Sequence, residues 1–163
     1  MLRSLVVAGA LLAPAFLQAD ETPTAAFERQ LAEATESADV TVVHLWAPWC
    51  SDCKSELSHS RWSMFIAANP KVHFIFVTIW NEADGHELLQ RNGVGAEPNF
   101  RLLHHPNGSR KPDEEMTELL GQPVSWIPST WVFRKGHLYY ALNYGELRFP
   151  MLQQMIQDST EAW

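Results

Sequence analysis

The sequence predicts an α/β domain, a mixed central sheet with helices on both faces. Three observations predict it. Val40–Trp46 (VTVVHLW) and Val72–Trp80 (VHFIFVTIW) are nearly continuous in apolar and β-branched residues, the pattern of strands buried on both faces. These runs alternate with stretches of helical periodicity, so the early strands are joined by right-handed crossovers and lie parallel. Ser129–Arg134 and His137–Asn143 flank Lys135-Gly136 and read as an antiparallel hairpin, which makes the sheet mixed.

The elements follow in chain order. From Thr24 to Ala38, Ala26, Phe27, Leu31 and Ala34 form a helical stripe, and Pro23 suits its first turn. After the first strand comes the link Ala47-Pro48-Trp49-Cys50, then one helix from Ser51 to about Ala68. The second strand runs to Trp80. Glu82–Arg91 predicts a helix that stops before Gly93, and Phe100–His105 a short strand. Pro106-Asn107-Gly108-Ser109 is a turn by composition; it also matches a glycosylation acceptor, but is read simply as a turn. Pro112–Leu120 predicts a helix with proline at its start and Gly121 at its end. Leu147–Ile156 predicts the terminal helix.

Composition bounds the function. With 163 residues and 46% hydrophobic residues, the chain can build one core of ordinary size. Twelve basic residues against 19 acidic ones give a formal charge of -7, and no basic cluster exceeds Arg110-Lys111. Nucleic-acid binding needs a positive footprint, so that class is excluded. Residues 1–19 read as a secretory signal peptide: Arg3, an apolar run from Leu5 to Leu12, and small residues near the exit. A retained N-terminal membrane anchor is the alternative. Residues 20–163 then form a single domain, placed in the periplasm or otherwise outside the cytoplasm.

The chain has only two cysteines, Cys50 and Cys53, where a buried strand hands over to a helix. Cys50 falls at the helix N-terminus, where unpaired N–H groups favour a thiolate. Cys53 lies one turn on, on the same face, and can resolve a mixed disulfide by attacking Cys50. Zinc would need two further ligands, and of the seven histidines only His59 stands near the pair. A loop this short constrains the unfolded chain little, so a purely stabilising crosslink is physically weak. A copper-binding or metal-handling module using both cysteines stays open as an alternative.

The segment His44-Leu45-Trp46-Ala47-Pro48-Trp49-Cys50-Ser51-Asp52-Cys53-Lys54 resembles the active-site segment of the thioredoxin superfamily, F-W-A-x-W-C-x-x-C-K. Ser125-Trp126-Ile127-Pro128-Ser129-Thr130 resembles the family segment that carries a cis-proline facing the cysteines. Trp131–Gly136 resembles the strand and turn that close the sheet. The resemblance covers roughly residues 25–158. The longer middle section makes the chain similar to secreted, membrane-associated thiol reductases typified by the TlpA and ResA proteins, although a helix-like segment stands where most of that group has a β-hairpin.

The resemblance implies a thiol–disulfide oxidoreductase that reduces protein disulfides, stores two electrons in its own cysteines and needs no bound cofactor. Cys50 would attack and Cys53 resolve. Pro128 would be the cis-proline, exposing the backbone of Ile127 to an extended substrate, with Trp49 as an apolar rim. Its partners would be protein disulfide substrates and an upstream reducing redox protein, with a membrane-associated electron donor one option. The same fold working as a dithiol oxidase differs only in direction. Two departures matter. His44 stands where thioredoxins of the usual kind carry a buried acid, and a histidine offers the same proton chemistry near neutral pH. Asp52 between the cysteines opposes a thiolate at Cys50, as a like charge does; Lys54 pulls the other way. Asp52 and Ile127 together favour a reductant.

Overall fold

A computed structural model describes residues 21–143 and 146–161. The leader expected over residues 1–19 lies outside the described residues. Chain order is α1 (Pro23–Glu36), β1 (Val40–Trp46), α2 (Ser51–Leu57), α3 (Arg61–Ala68), β2 (Val72–Thr78), α4 (His86–Arg91), β3 (Phe100–His104), β4 (Glu118–Leu119), β5 (Gln122–Pro123), β6 (Ser129–Arg134), β7 (His137–Leu142) and α5 (Phe149–Thr160).

Five strands form one mixed sheet in the order β3-β2-β1-β6-β7. β1 pairs parallel with β2 and antiparallel with β6, so the most apolar strand lies at the centre. All seven of its residues are buried, which requires cover on both faces. His44 lies on the face covered by α3, with its ring centroid 4.7 Å from Trp62 and 4.6 Å from Phe76. Phe149 of α5 packs edge-on against Trp62 on that same side, 5.1 Å away. The α/β class and mixed sheet are as the sequence predicts.

Four elements differ from expectation. The helix predicted from Ser51 to Ala68 is broken at Ser58–Ser60, a 3-10 turn with positive φ at His59 and Ser60. The cause is competition for backbone groups. The Ser58 hydroxyl donates to the Ser55 carbonyl at 2.6 Å, and the Arg61 guanidinium donates to that carbonyl at 2.5 Å. The helix predicted over Pro112–Leu120 is absent. That stretch is a series of turns leading into the small β4–β5 hairpin, whose two-residue turn has positive φ at Leu120 (50°) and Gly121 (71°). Gly121, read as a helix stop, supplies the backbone of a type I′ turn.

The helix predicted over Glu82–Arg91 starts only at His86, and β2 stops at Thr78 rather than Trp80. Residues 79–85 instead fold back against the β1–α2 link. Thr78 donates its hydroxyl to the Asp84 carbonyl at 2.5 Å. Gly85 caps α4 at φ +76, and a Cβ there would lie 2.7 Å from both Pro48 Cγ and Trp46 Cη2. Glycine is required twice over, by conformation and by space. Gly85→Ala should therefore lower stability by about 1–3 kcal/mol, seen as a lower urea midpoint at unchanged slope. An unchanged midpoint would show that the link is not packed against Gly85 in solution.

Candidate functional site

β1 ends at Trp46, and the next residues deliver Cys50 to the start of α2. Cys50 is the N-cap, with extended backbone (φ -69, ψ 122), and its sulfur accepts the Cys53 N–H at 3.1 Å. The two sulfurs are joined as a disulfide. Cys50 keeps 5% of its surface and Cys53 1%, so only Cys50 can be approached from outside. A sulfur that accepts a backbone N–H at a helix start is stabilised when it becomes a thiolate.

Opposite the pair, the Ile127–Pro128 peptide bond is cis, and the Ile127 carbonyl oxygen lies 3.7 Å from Cys50 Sγ. Trp49 forms one rim of the opening. Its indole N–H donates to the Trp80 carbonyl at 2.9 Å, and the Arg110 guanidinium lies over its ring, 3.8 Å from the centroid. Trp126 is exposed on the Ile127 side.

Behind α2 sits a polar group buried among aromatic rings. Glu56, one turn past Cys53 on the same buried face, has no exposed surface. Its Oε1 accepts the Leu147 N–H at 2.6 Å, and its Oε2 lies 3.4 Å from His44 Nε2 without forming a directed hydrogen bond. His44 Nδ1 is 2.9 Å from the Thr130 hydroxyl across the β1–β6 pairing. Burial pushes the His44 pKa down to about 3, so the imidazole is neutral. Burial pushes Glu56 up to about 7, against the opposing pull of the Leu147 N–H and the Trp62 indole. A buried carboxyl that titrates near neutrality one helical turn from Cys53 is an acid–base group in the right range.

No family model matches this sequence, and no curated protein matches it. Solved structures do. One is a secreted Mycobacterium tuberculosis disulfide oxidoreductase described as homologous to E. coli DsbE, with 20% identity over 77% of this chain and 85% of that one, TM-score 0.56. Another is a DsbF homologue from Corynebacterium diphtheriae, with 20% identity over 77% and 74%, TM-score 0.55. A third is a secreted thiol-disulfide isomerase from Corynebacterium glutamicum, with 19% identity over 78% and 73%, TM-score 0.53. The chain has the thioredoxin fold.

Within that fold, the residues singled out in the sequence fall into two groups. Cys50, Cys53, Trp49, Ile127 and Pro128 gather around one opening. Asp52 sits on α2 exposed to solvent, with the Ser51 hydroxyl 3.5 Å from its carboxylate. His44 faces Glu56, Trp62 and Thr130 in the interior. Trp80 and Trp131 are internal: Trp80 donates to the Met116 carbonyl at 2.8 Å and Trp131 to Asn143 at 2.8 Å. His105 is buried against Phe27, with ring centroids 5.0 Å apart. Among the described residues, no group of three or more His, Cys, Asp or Glu side chains is arranged to hold a metal.

Glu56 was not singled out in the sequence. An acid in a helix reads as solvent-facing, and only its spacing of three from Cys53 hints otherwise. The titration of the pair sets a stability test. Glu56 has its pKa raised from 4.5 by folding, so its contribution is lost as pH rises towards 7. His44 has its pKa lowered from 6.5, so its contribution is lost as pH falls towards 3. Glu56→Gln deletes the first loss alone. Relative to the native chain in its disulfide form, the variant should gain roughly 3 kcal/mol between pH 4.5 and 7.5. Urea unfolding at stepped pH measures this; parallel pH profiles would place Glu56 in water.

Proposed function

We propose that this chain is a thiol–disulfide oxidoreductase working outside the cytoplasm, where it reduces protein disulfides through the Cys50–Cys53 couple. The observation that carries the reading is the placement of Cys50: an N-cap sulfur that is the more exposed of the pair, beside the Ile127 carbonyl and an aromatic rim. A segment of client chain laid along Ile127 would bring its own disulfide to that sulfur by strand-like main-chain contact.

The reaction balances within the two proteins. The Cys50 thiolate attacks one sulfur of the client disulfide. The second client sulfur leaves with the electron pair and takes a proton from water. Glu56 takes the proton of Cys53, whose thiolate then attacks Cys50 Sγ. The client cysteine departs as a thiolate and is protonated, and the Cys50–Cys53 disulfide is restored. Two electrons have passed to the client. Glu56 takes here the acid–base role that the resemblance left open to His44. An upstream redox protein, membrane-associated if it draws on cytoplasmic electrons, returns the disulfide to the dithiol. The leader at residues 1–19 supports export, with cleavage leaving residues 20–163 as the working domain. Among the described residues, no helix is long and apolar enough to cross a membrane.

The reducing direction is supported by Asp52. Its carboxylate beside Cys50 opposes the thiolate and so favours the disulfide of this protein, although exposure weakens the effect. Equilibration with graded dithiothreitol or glutathione, followed by alkylation and mass spectrometry, should place the couple near the thioredoxin value of about -270 mV. A value near about -120 mV would make the protein an oxidase. Asp52→Asn should lower the Cys50 pKa and make the couple more oxidising; a raised pKa would overturn the role given to Asp52. Cys53→Ser should accumulate mixed disulfides with client proteins and Cys50→Ser none. The reverse pattern would exchange the two cysteine roles.

A further inference from the structure

The acid–base reading of Glu56 leaves a question of charge. Near neutral pH a share of the Glu56 carboxyls already carries a proton, and each, buried beside Trp62 and His44, must release it before it can take one from Cys53. Phe65 and Phe149, which pack edge-on against Trp62, close off that side. Two of its neighbours form a line in the other direction. His44 Nε2 faces Glu56 Oε2 at 3.4 Å, and His44 Nδ1 faces Thr130 Oγ1 at 2.9 Å. Thr130 keeps only 3% of its surface, yet it lines a groove of about 1060 Å³ bounded also by Pro128, Leu147, Phe149, Arg61 and Arg148. The groove thus touches the far end of the line and not Glu56 itself.

Resting on the oxidoreductase reading, we propose that His44 and Thr130 form a proton conduit from Glu56 to this groove. The orphan atom in the cluster supports it. Glu56 Oε2 is fully buried with no hydrogen-bond partner. A carboxylate oxygen facing an imidazole lone pair is unfavourable, whereas a proton on Oε2 lies between the two and satisfies both. With Glu56 protonated, Oε2–H points to Nε2, Nδ1–H donates to Thr130, and the threonine hydroxyl points outward. With Glu56 ionised, Nε2–H points to Oε2 and the Thr130 hydroxyl donates to Nδ1. The two arrangements differ by one proton, released at the groove through three short shifts. His44 stays neutral in both, which agrees with its burial.

Among the described residues, the charged groups lining the groove are Arg61 of α3 and Glu146, ahead of α5, which pair with each other at 2.9 Å, and Arg148. Arg61 and Glu146 act on Glu56 in opposite senses. The Leu147 N–H, Trp62 on α3, Phe76 on β2 and Thr130 on β6 also face the Glu56–His44 pair. His44 and Thr130 are positioning residues that act through Glu56.

The test isolates the step that needs the proton. The reduced full-length protein is mixed with excess dithionitrobenzoate in a stopped-flow instrument. The first thionitrobenzoate reports attack by Cys50. The second reports attack by Cys53 on the Cys50–thionitrobenzoate mixed disulfide. Thr130→Val should slow the second phase by about tenfold or more and remove its dependence on pH near neutrality, leaving the first phase unchanged. Thr130→Ser, which keeps a hydroxyl, should restore both. Thr130→Ala replaces the valine variant if valine disrupts the fold. A second phase unaffected by loss of the hydroxyl, or both phases slowed alike, overturns the conduit. So does a native second phase with no solvent deuterium isotope effect. Release of no thionitrobenzoate, or only one per chain, by the native protein instead overturns the oxidoreductase reading on which the conduit stands.

Discussion

The hydrogen bond from the Leu147 N–H to Glu56 Oε1, at 2.6 Å, is the contact on which the site's architecture depends. Taking a carboxyl out of water costs several kcal/mol unless its oxygens find partners. Here one oxygen is held by a backbone donor from 91 residues away, at the approach to α5. The bond therefore fixes α2, which carries both cysteines, against the segment that leads into α5. Arg61 and Glu146 add an ion pair beside it, half open to solvent and of minor energetic weight.

Aromatic packing gives that closure its effect. Trp62 meets His44, Phe65, Phe74, Phe76 and Phe149, most of them edge-on at 4.7–6.4 Å between centroids. Such contacts add to area burial and leave little space for water. The surroundings are apolar enough to keep His44 neutral and to hold Glu56 near the midpoint of its titration at physiological pH. A histidine on a central strand and a glutamate on the active-site helix thus acquire their chemistry from their neighbours, not from their intrinsic acidity.

Much of this was legible in the sequence, for identifiable reasons. β1 could be read to the residue because a strand buried on both faces must be apolar throughout, and VTVVHLW is so except at Thr41 and His44. The cysteine pair could be placed because it falls where a buried strand hands over to a helix, and Ile127-Pro128 because its segment resembles the cis-proline segment of the thioredoxin superfamily. The α2–α3 break was not legible: it depends on serine hydroxyls and an arginine competing for carbonyls, and those residue types occur in ordinary helices. The β4–β5 hairpin was hidden because Gly121 ends a helix and turns a hairpin equally well. Glu56 was hidden because its burial is imposed by α5, nearly a hundred residues on, and nothing local records it.

Trp80 carries a wider implication. At φ +52 it accepts the Trp49 indole N–H on its carbonyl and donates its own indole N–H to Met116. One residue thereby makes the lip of the cysteine opening and the segment running from Pro106 to Met116 a single mechanical piece, with Arg110 of that segment resting on Trp49. Length changes among relatives in this region would not be neutral decoration. Each would re-aim the lip, so the stretch after β3 is where descendants of this chain could diverge in choice of client while the sulfur chemistry stays constant.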